Sequence, residues 1–159
     1  MSTVYISHSV SPWELAQVYV LARETERQGL QSFIPDRTWV PANGVPPSLT
    51  GIVAQAELML LFATLSGNHL EWVNQELRAA QGKPVVAVAE RGIELTGIDD
   101  RNIVEFDRSE DVAGAVGKAA ARVGALSLQR RNKNLVTGLL VGGLVLLLLR
   151  GLPEDGGRQ

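Results

Sequence analysis

The sequence predicts a three-layer α/β domain on a five-stranded parallel sheet, followed by one apolar helix near the C-terminus. Three observations predict it. Short apolar runs alternate with amphipathic helical stretches from residue 4 to about residue 123. One run, Leu58-Met59-Leu60-Leu61-Phe62-Ala63, has no polar position, as a central parallel strand covered on both faces requires. Finally, sixteen consecutive uncharged residues, 134–149, lie between Arg130, Arg131 and Lys133 on one side and Arg150 on the other.

Val4-Tyr5-Ile6 forms the first strand. Ser11, Pro12 and Glu14 then spell a helix start: a hydroxyl N-cap, a proline at the first helical position and a carboxylate that closes a capping box. Leu15, Val18, Tyr19 and Ala22 give that helix its apolar face, and Gly29 stops it. Residues 30–34 make a second strand, ended by Pro35. Residues 36–47 hold three prolines and the turn Asn43-Gly44, so a long loop is expected there, placed to cover or shape a site. A helix over 48–56 leads into the central strand 58–63, and the turn Ser66-Gly67-Asn68 opens a helix over 70–81. Gly82-Lys83-Pro84 delivers a fourth strand at 85–89, residues 103–106 a fifth, and 107–123 the last helix. With right-handed crossovers, the ligand end of such a sheet is its carboxyl edge, here Ser7-His8-Ser9, Pro35-Asp36 and Thr64-Leu65-Ser66.

At 159 residues there is room for one domain with a hydrophobic core, and not for two. Residues 1–129 carry ten basic and fifteen acidic groups, a net of −5, while the last thirty residues net +3. An acidic domain lacks the electrostatic footprint of a nucleic-acid binder, and the basic segment suits anionic headgroups. The absence of cysteine excludes disulfides, thiolate metal sites and cysteine nucleophiles. His8 and His69 have no zinc-ligand spacing, so no metal is expected. The first residues have neither a basic leader nor a long apolar run, so the domain is expected on the cytoplasmic side.

Trp72 and Glu76, four residues apart, share one face of the helix that follows the third strand. A carboxylate there suits cleavage of an N-glycosidic bond, whose transition state resembles an oxocarbenium ion. It would stabilise that charge, orient ribose hydroxyls or attack C1′, while a Trp stacks on a flat ring. The same spacing also fits any amphipathic helix, with Glu76 a solvated surface residue. Ser7, His8 and Ser9 offer hydroxyls and N–H groups for a pyrophosphate, or simple turn capping. Asp36 and Trp39 lie in the long loop, one suited to cap a turn, the other to wall a ring or meet a protein.

These segments together resemble a Toll/interleukin-1 receptor (TIR) domain of bacterial type. They are the opening Val-Tyr-Ile-Ser-His-Ser, the stretch from Gly29 to Asp36, the Asn43-Gly44 loop, Glu71-Trp72-Val73-Asn74-Gln75-Glu76-Leu77 and Gly82-Lys83-Pro84-Val85. The resemblance implies a flavodoxin-like fold with NAD as substrate rather than cofactor. It implies Glu76 as the catalytic carboxylate, and Ser7, Phe33 and Trp39 as pocket residues beside His8, Ser9, Asp36 and Trp72. It also implies activity that depends on self-association in defence or cell-death signalling, with any sensor on a separate chain. Pro12, Trp13 and Glu71 depart from the family pattern. Two alternatives stand: a non-enzymatic TIR adaptor, and a nucleoside 2-deoxyribosyltransferase-like enzyme, which shares the strand order and the helix glutamate.

The expected organisation is a catalytic domain at 1–124, a basic linker at 125–134, a transmembrane helix at 135–152 and a polar tail at 153–159. Sixteen uncharged residues span roughly 24 Å as a helix, and snorkelling of Lys133 and Arg150 extends that toward a ~30 Å hydrocarbon core. Packing of the run on the domain or a partner is the other reading. The flanking charge predicts a single pass with the N-terminus inside, and the bacterial-type resemblance implies that the membrane is a bacterial inner membrane. Gly138 and Gly142 form a Gly-x-x-x-Gly pair suited to helix pairing within it.

Overall fold

The computed structural model describes residues 1–37, 46–109 and 112–150, the stretch 136–150 by backbone alone. The chain divides into two compact units, Met1–Leu126 and Ser127–Gln159.

The first unit holds β1 (Thr3–Ser9), α1 (Leu15–Arg27), β2 (Gln31–Phe33), α2 (Pro47–Gln55), β3 (Leu58–Ala63), α3 (Leu70–Ala79), β4 (Val85–Glu90) and β5 (Ile103–Phe106). The final helix, α4, runs Val112–Arg150. The strands pair in parallel in the order β2-β1-β3-β4-β5, so the order reverses between β1 and β3. At that switch point a crevice opens at the carboxyl ends.

Alternation along β1 sorts its side chains between two layers. Val4 and Ile6 pack with Val18 and Leu21 of α1 and Val116, Ala119 and Val123 of α4. Tyr5 points the other way, against Val53, Ala56, Met59 and Ala80. Leu61, Ala63, Val73 and Ala87 complete that second layer. Every residue of β3 and β4 is buried, which accounts for their unbroken apolar runs.

Three expectations are corrected. β1 does not end at Ile6: Ser7, His8 and Ser9 pair with Leu61, Phe62 and Ala63, so these polar residues lie inside the strand. The box residues Pro12–Glu14 form a 3-10 turn, and α1 proper starts at Leu15. The last helix starts at Val112 and continues through 125–134, where a linker was expected. That stretch contains neither proline nor glycine, so nothing in it ends a helix.

Among the described residues no helix is long and apolar enough to cross a membrane. The expected span at 135–152, with Gly138 and Gly142, falls on positions whose side chains from 136 onward lie outside the described residues. The same holds for loop positions 38–45, which include Trp39.

Candidate active site

α3 turns Trp72, Val73 and Glu76 inward, so a carboxylate stands in the middle of an apolar stripe. Glu76 is wholly buried between α3 and β1. The solvated alternative is thereby overturned.

Four donors meet this carboxylate. Oε1 accepts from the Tyr5 hydroxyl at 2.6 Å and from Arg37 Nη1 at 2.8 Å. Oε2 accepts from Arg37 Nη2 at 2.7 Å and from the Ser7 hydroxyl. A carboxylate has about four lone-pair sites, so all are filled. The local sequence explains the arrangement: Tyr5 and Ser7 are two apart on one strand and therefore share the face toward α3. Burial and the charge of Glu76 push the Tyr5 phenol above its ordinary range, which keeps it a donor.

Arg37 arrives from the irregular segment after β2. β2 pairs with β1 only through Thr3, Val4 and Tyr5, so the flank of β1 beyond Tyr5 has no strand beside it. Arg37 fills that flank. Its Nε donates to the His8 carbonyl at 3.3 Å, and its guanidinium lies 5.1 Å from the centre of the Trp72 ring.

Arg37 also lines a cavity of about 480 Å³, together with His8, Ser11, Leu15, Tyr19, Asp36, Asn68 and His69 among others. Its position at the carboxyl edge is the ligand end of the sheet. Glu76 and Trp72 are not on its wall; Arg37 and His69 are, Arg37 touching both of them and His69 packing on Trp72 at 6.5 Å. A larger cavity of about 650 Å³, lined by Asn74, Arg78, Lys83, Val85 and Gly97, opens at the amino end of β4, away from this chemistry.

The remaining expected residues divide. His8 is buried, its Nε2 donates to the Pro35 carbonyl at 3.1 Å, and its Nδ1 has no partner. Burial pushes its pKa down to about 4, against the pull of the Pro35 bond, so the ring is neutral at pH 7. Ser9 Oγ accepts the His69 N–H at 3.1 Å. Gly67 passes so close that a Cβ there would lie 2.1 Å from the Ser9 carbonyl oxygen. Ser7 spends its hydroxyl on Glu76, and Ser7 and Ser9 are both buried, so neither presents its hydroxyl to a pyrophosphate in this arrangement. Phe33 stacks on Tyr5 at 5.6 Å, at the sheet edge rather than in the cavity. Asp36 is on the cavity wall.

Sequence reasoning missed three residues. Tyr5 looks like core, and its hydroxyl leaves no mark on periodicity. Arg37 sits in a segment without periodicity. Glu14 reads as a local cap, yet besides Ser11 it accepts from Thr64, Ser66 and Arg108 at 2.7, 2.8 and 2.6 Å. Burial raises its pKa, but the hydrogen bonds from Ser11, Thr64 and Ser66 outweigh this and hold it at about 2. Arg108 also reaches Glu90 at 3.3 Å, and Glu90 accepts the Leu65 N–H at 2.7 Å. This second cluster ties the 3-10 turn before α1, β4 and the turn after β3 together. Its hydroxyls and carboxylates satisfy one another, which is the pattern of a structural clamp. Among the described residues no cluster of side chains could hold a metal ion.

No family model matches the chain, and no curated protein matches it. Among solved structures it is similar to the RPS4 and RRS1 TIR domain heterodimer, with 15% identity and a TM-score of 0.54, over 77% of this chain and 96% of that one. It is also similar to a flavodoxin from the domain Archaea, with 11% identity and a TM-score of 0.51, over 79% and 97% of the two chains. A third likeness is to the sugar isomerase domain of an RpiR transcription factor from Sphaerobacter thermophilus, with 15% identity and a TM-score of 0.50, over 84% and 78%. At these identities the likeness is one of fold. The chain has a TIR-like, flavodoxin-like α/β architecture, and a fold shared by such different proteins does not assign an activity.

Proposed function

We propose that this chain is a TIR-type enzyme that cleaves the nicotinamide–ribose bond of NAD, with Glu76 as the catalytic carboxylate. One observation carries the reading: Arg37 contacts both the Glu76 carboxylate and the Trp72 indole and also lines the carboxyl-edge cavity, which brings these groups together at the ligand end of the sheet. In NAD the nicotinamide ring is cationic. When the C1′–N bond breaks, both electrons go to the ring nitrogen, nicotinamide leaves neutral and the ribosyl carbon takes up positive charge. Glu76 in contact with the ribose stabilises that charge. Water then attacks C1′ and loses a proton to give ADP-ribose, or a nucleophilic atom of the same molecule closes a ring.

The run 135–152 anchors the enzyme in a membrane, with the domain on the cytoplasmic face. Self-association of the domain, and of the helix through Gly138 and Gly142, sets its activity. The similar solved structure described as a TIR domain heterodimer supports assembly of this fold, and the helical backbone of α4 as far as Arg150 is compatible with the span.

A second reading rests on its own observation. Glu76 has all four acceptor positions filled from within, as a purely structural ion pair would, which favours a non-enzymatic TIR adaptor. The full chain, assembled at high concentration in detergent or vesicles, should release nicotinamide from NAD, followed by chromatography. Absence of release in every assembled state, or undiminished release by Glu76→Asp, overturns the enzymatic reading in favour of the adaptor. Base exchange with deoxynucleosides in the same assay identifies a transferase.

A further inference from the structure

Arg37 is an unusual neighbour for a carboxylate that touches substrate. Its guanidinium is a flat, delocalised monocation lying over an indole and forked onto both oxygens of Glu76, at 2.8 and 2.7 Å. Its side chain is 5% exposed and that of Glu76 is 0% exposed. Without that side chain, a buried carboxylate and the face of Trp72 would form a slot with a net negative charge and no counter-ion. Tyr5 and Ser7 hold the carboxylate in place from the strand side, and their neutral hydroxyls do not cancel the charge.

We infer that Arg37 is an internal ligand of a planar-cation slot formed by Trp72 and Glu76, and that it competes there with an external planar cation such as an N-substituted pyridinium. The inference rests on the reading of Glu76 as a substrate-facing group and adds to it a self-blocked ground state. Both cations satisfy the same two demands, a stack on the indole and a charge against the carboxylate. A compact ammonium meets only the second.

Departure of Arg37 requires no sheet bond to break. The residue lies beyond Phe33, where β2 ends, and its described contacts in the slot are made by the side chain alone: Nη1 and Nη2 to Glu76, Nε to the His8 carbonyl, and the cation–π approach to Trp72. Arg37 also lines the carboxyl-edge cavity, so that cavity adjoins the residue that fills the slot. The tether keeps the effective concentration of the arginine high, which sets how strongly it excludes an outside ligand.

The test measures binding. Full-length Arg37→Ala is titrated with 1-methylnicotinamide, and thermal unfolding and tryptophan fluorescence are followed. The variant should bind this probe at least tenfold more tightly than the wild type, with a rise of several degrees in Tm. Methylguanidinium should act likewise. Neutral nicotinamide and tetramethylammonium should not, nor should any probe act on Arg37→Ala/Glu76→Gln. Equal binding by wild type and Arg37→Ala, binding that survives loss of Glu76, or no binding overturns the inference. If Arg37→Ala is unfolded alone, recovery of a cooperative transition with 1-methylnicotinamide supports the slot. Arg37→Lys then serves as the second variant: it keeps a charge but loses the plane, so it should bind the probe more tightly than wild type, and failure to do so overturns the slot. Probe binding without NAD cleavage would end the proposed function and leave the slot standing; NAD cleavage without any gain in probe binding would do the reverse.

Discussion

Arg37 and Glu76 form a two-pronged ion pair inside the protein, Nη1 to Oε1 at 2.8 Å and Nη2 to Oε2 at 2.7 Å, although 39 positions separate them in sequence. Removal of either partner leaves the other charge buried and uncompensated. Arg37→Ala and Glu76→Gln should each destabilise the domain by about 3–5 kcal/mol, whereas replacing both by apolar residues of similar volume should cost far less. Urea unfolding of the two single variants and of Arg37→Met/Glu76→Leu measures the coupling. Single losses that simply add would show that the pair is not a unit.

Tyr5 and Ser7 should divide unequally. Tyr5→Phe deletes a donor to Oε1 and leaves the ring in its place among Val53, Met59 and Ala80, so about 1.5–3 kcal/mol of hydrogen bonding to a charged group is lost with little repacking. Ser7→Ala removes a smaller group from the same carboxylate and should cost no more than that. If Glu76 acts on substrate, both changes should reduce NAD turnover less than Glu76→Asp does, because they position the carboxylate and do not replace it. A larger loss in either variant than in Glu76→Asp would assign the chemistry elsewhere.

Much of this was legible in the sequence, and the failures share a cause. The strands were visible because β3 and β4 are buried on both faces and are apolar throughout, save Glu90 at the end of β4. Glu76 was visible as a carboxylate on the stripe that also carries Trp72. What surrounds it was not, because Arg37, Tyr5 and Ser7 come from 39, 71 and 69 positions away and obey no local rule. Glu14 shows the same limit: the capping box is real, with Ser11 N–H at 2.9 Å, but the bonds to Thr64 and Ser66 reach across 50 and 52 positions of sequence. The C-terminal boundary failed differently. Basic composition at 125–134 suggests a linker, whereas helix continuation depends on the absence of breakers, and none is present there.

His8 gives the domain an acid-sensitive step. Its folded pKa of about 4 lies below the 6.5 of an unperturbed histidine, because burial disfavours the charged ring. The folded state therefore binds fewer protons than the unfolded state between those values. The contribution is complete above pH 6.5 and is lost as pH falls toward 4, by at most about 3 kcal/mol. His8→Gln keeps a donor for the Pro35 carbonyl and does not titrate. Its stability should be flatter than that of the wild type between pH 6.5 and 4; parallel curves would remove His8 from the account.

A second acid step belongs to Glu14, whose folded pKa of about 2 lies below its ordinary 4.5. Its stabilisation is present above pH 4.5 and disappears as pH falls toward 2, a window lower than that of His8. Glu14→Ala releases Ser11, Thr64, Ser66 and Arg108 together and should cost about 2–3 kcal/mol at pH 7. Because Arg108 is well exposed, its own truncation should cost less than 1 kcal/mol. An Arg108→Ala loss equal to that of Glu14→Ala would mean that the cluster depends on the ion pair and not on its hydroxyls.

Two glycines should respond in opposite directions to the same added methyl group. Gly67 follows β3 in the turn that brings the His69 N–H onto Ser9 Oγ, and its Cβ would lie 2.1 Å from the Ser9 carbonyl oxygen and 2.6 Å from Ser9 Oγ. The first obstacle is the backbone at the carboxyl end of β1, where the Ser9 carbonyl is held by the Thr64 N–H at 3.0 Å, so the turn must move away and the His69 contact goes with it. Gly67→Ala should cost about 2 kcal/mol or more. Gly51 lies within α2, and a Cβ there meets nothing within 4 Å. Alanine at that position removes backbone freedom from the unfolded chain without touching a neighbour, and Gly51→Ala should stabilise by up to about 1 kcal/mol. Chemical denaturation of the two variants reads both signs in one experiment. A neutral Gly67→Ala would mean that the turn after β3 does not press on β1, and with it would fall the close approach that shapes this end of the sheet.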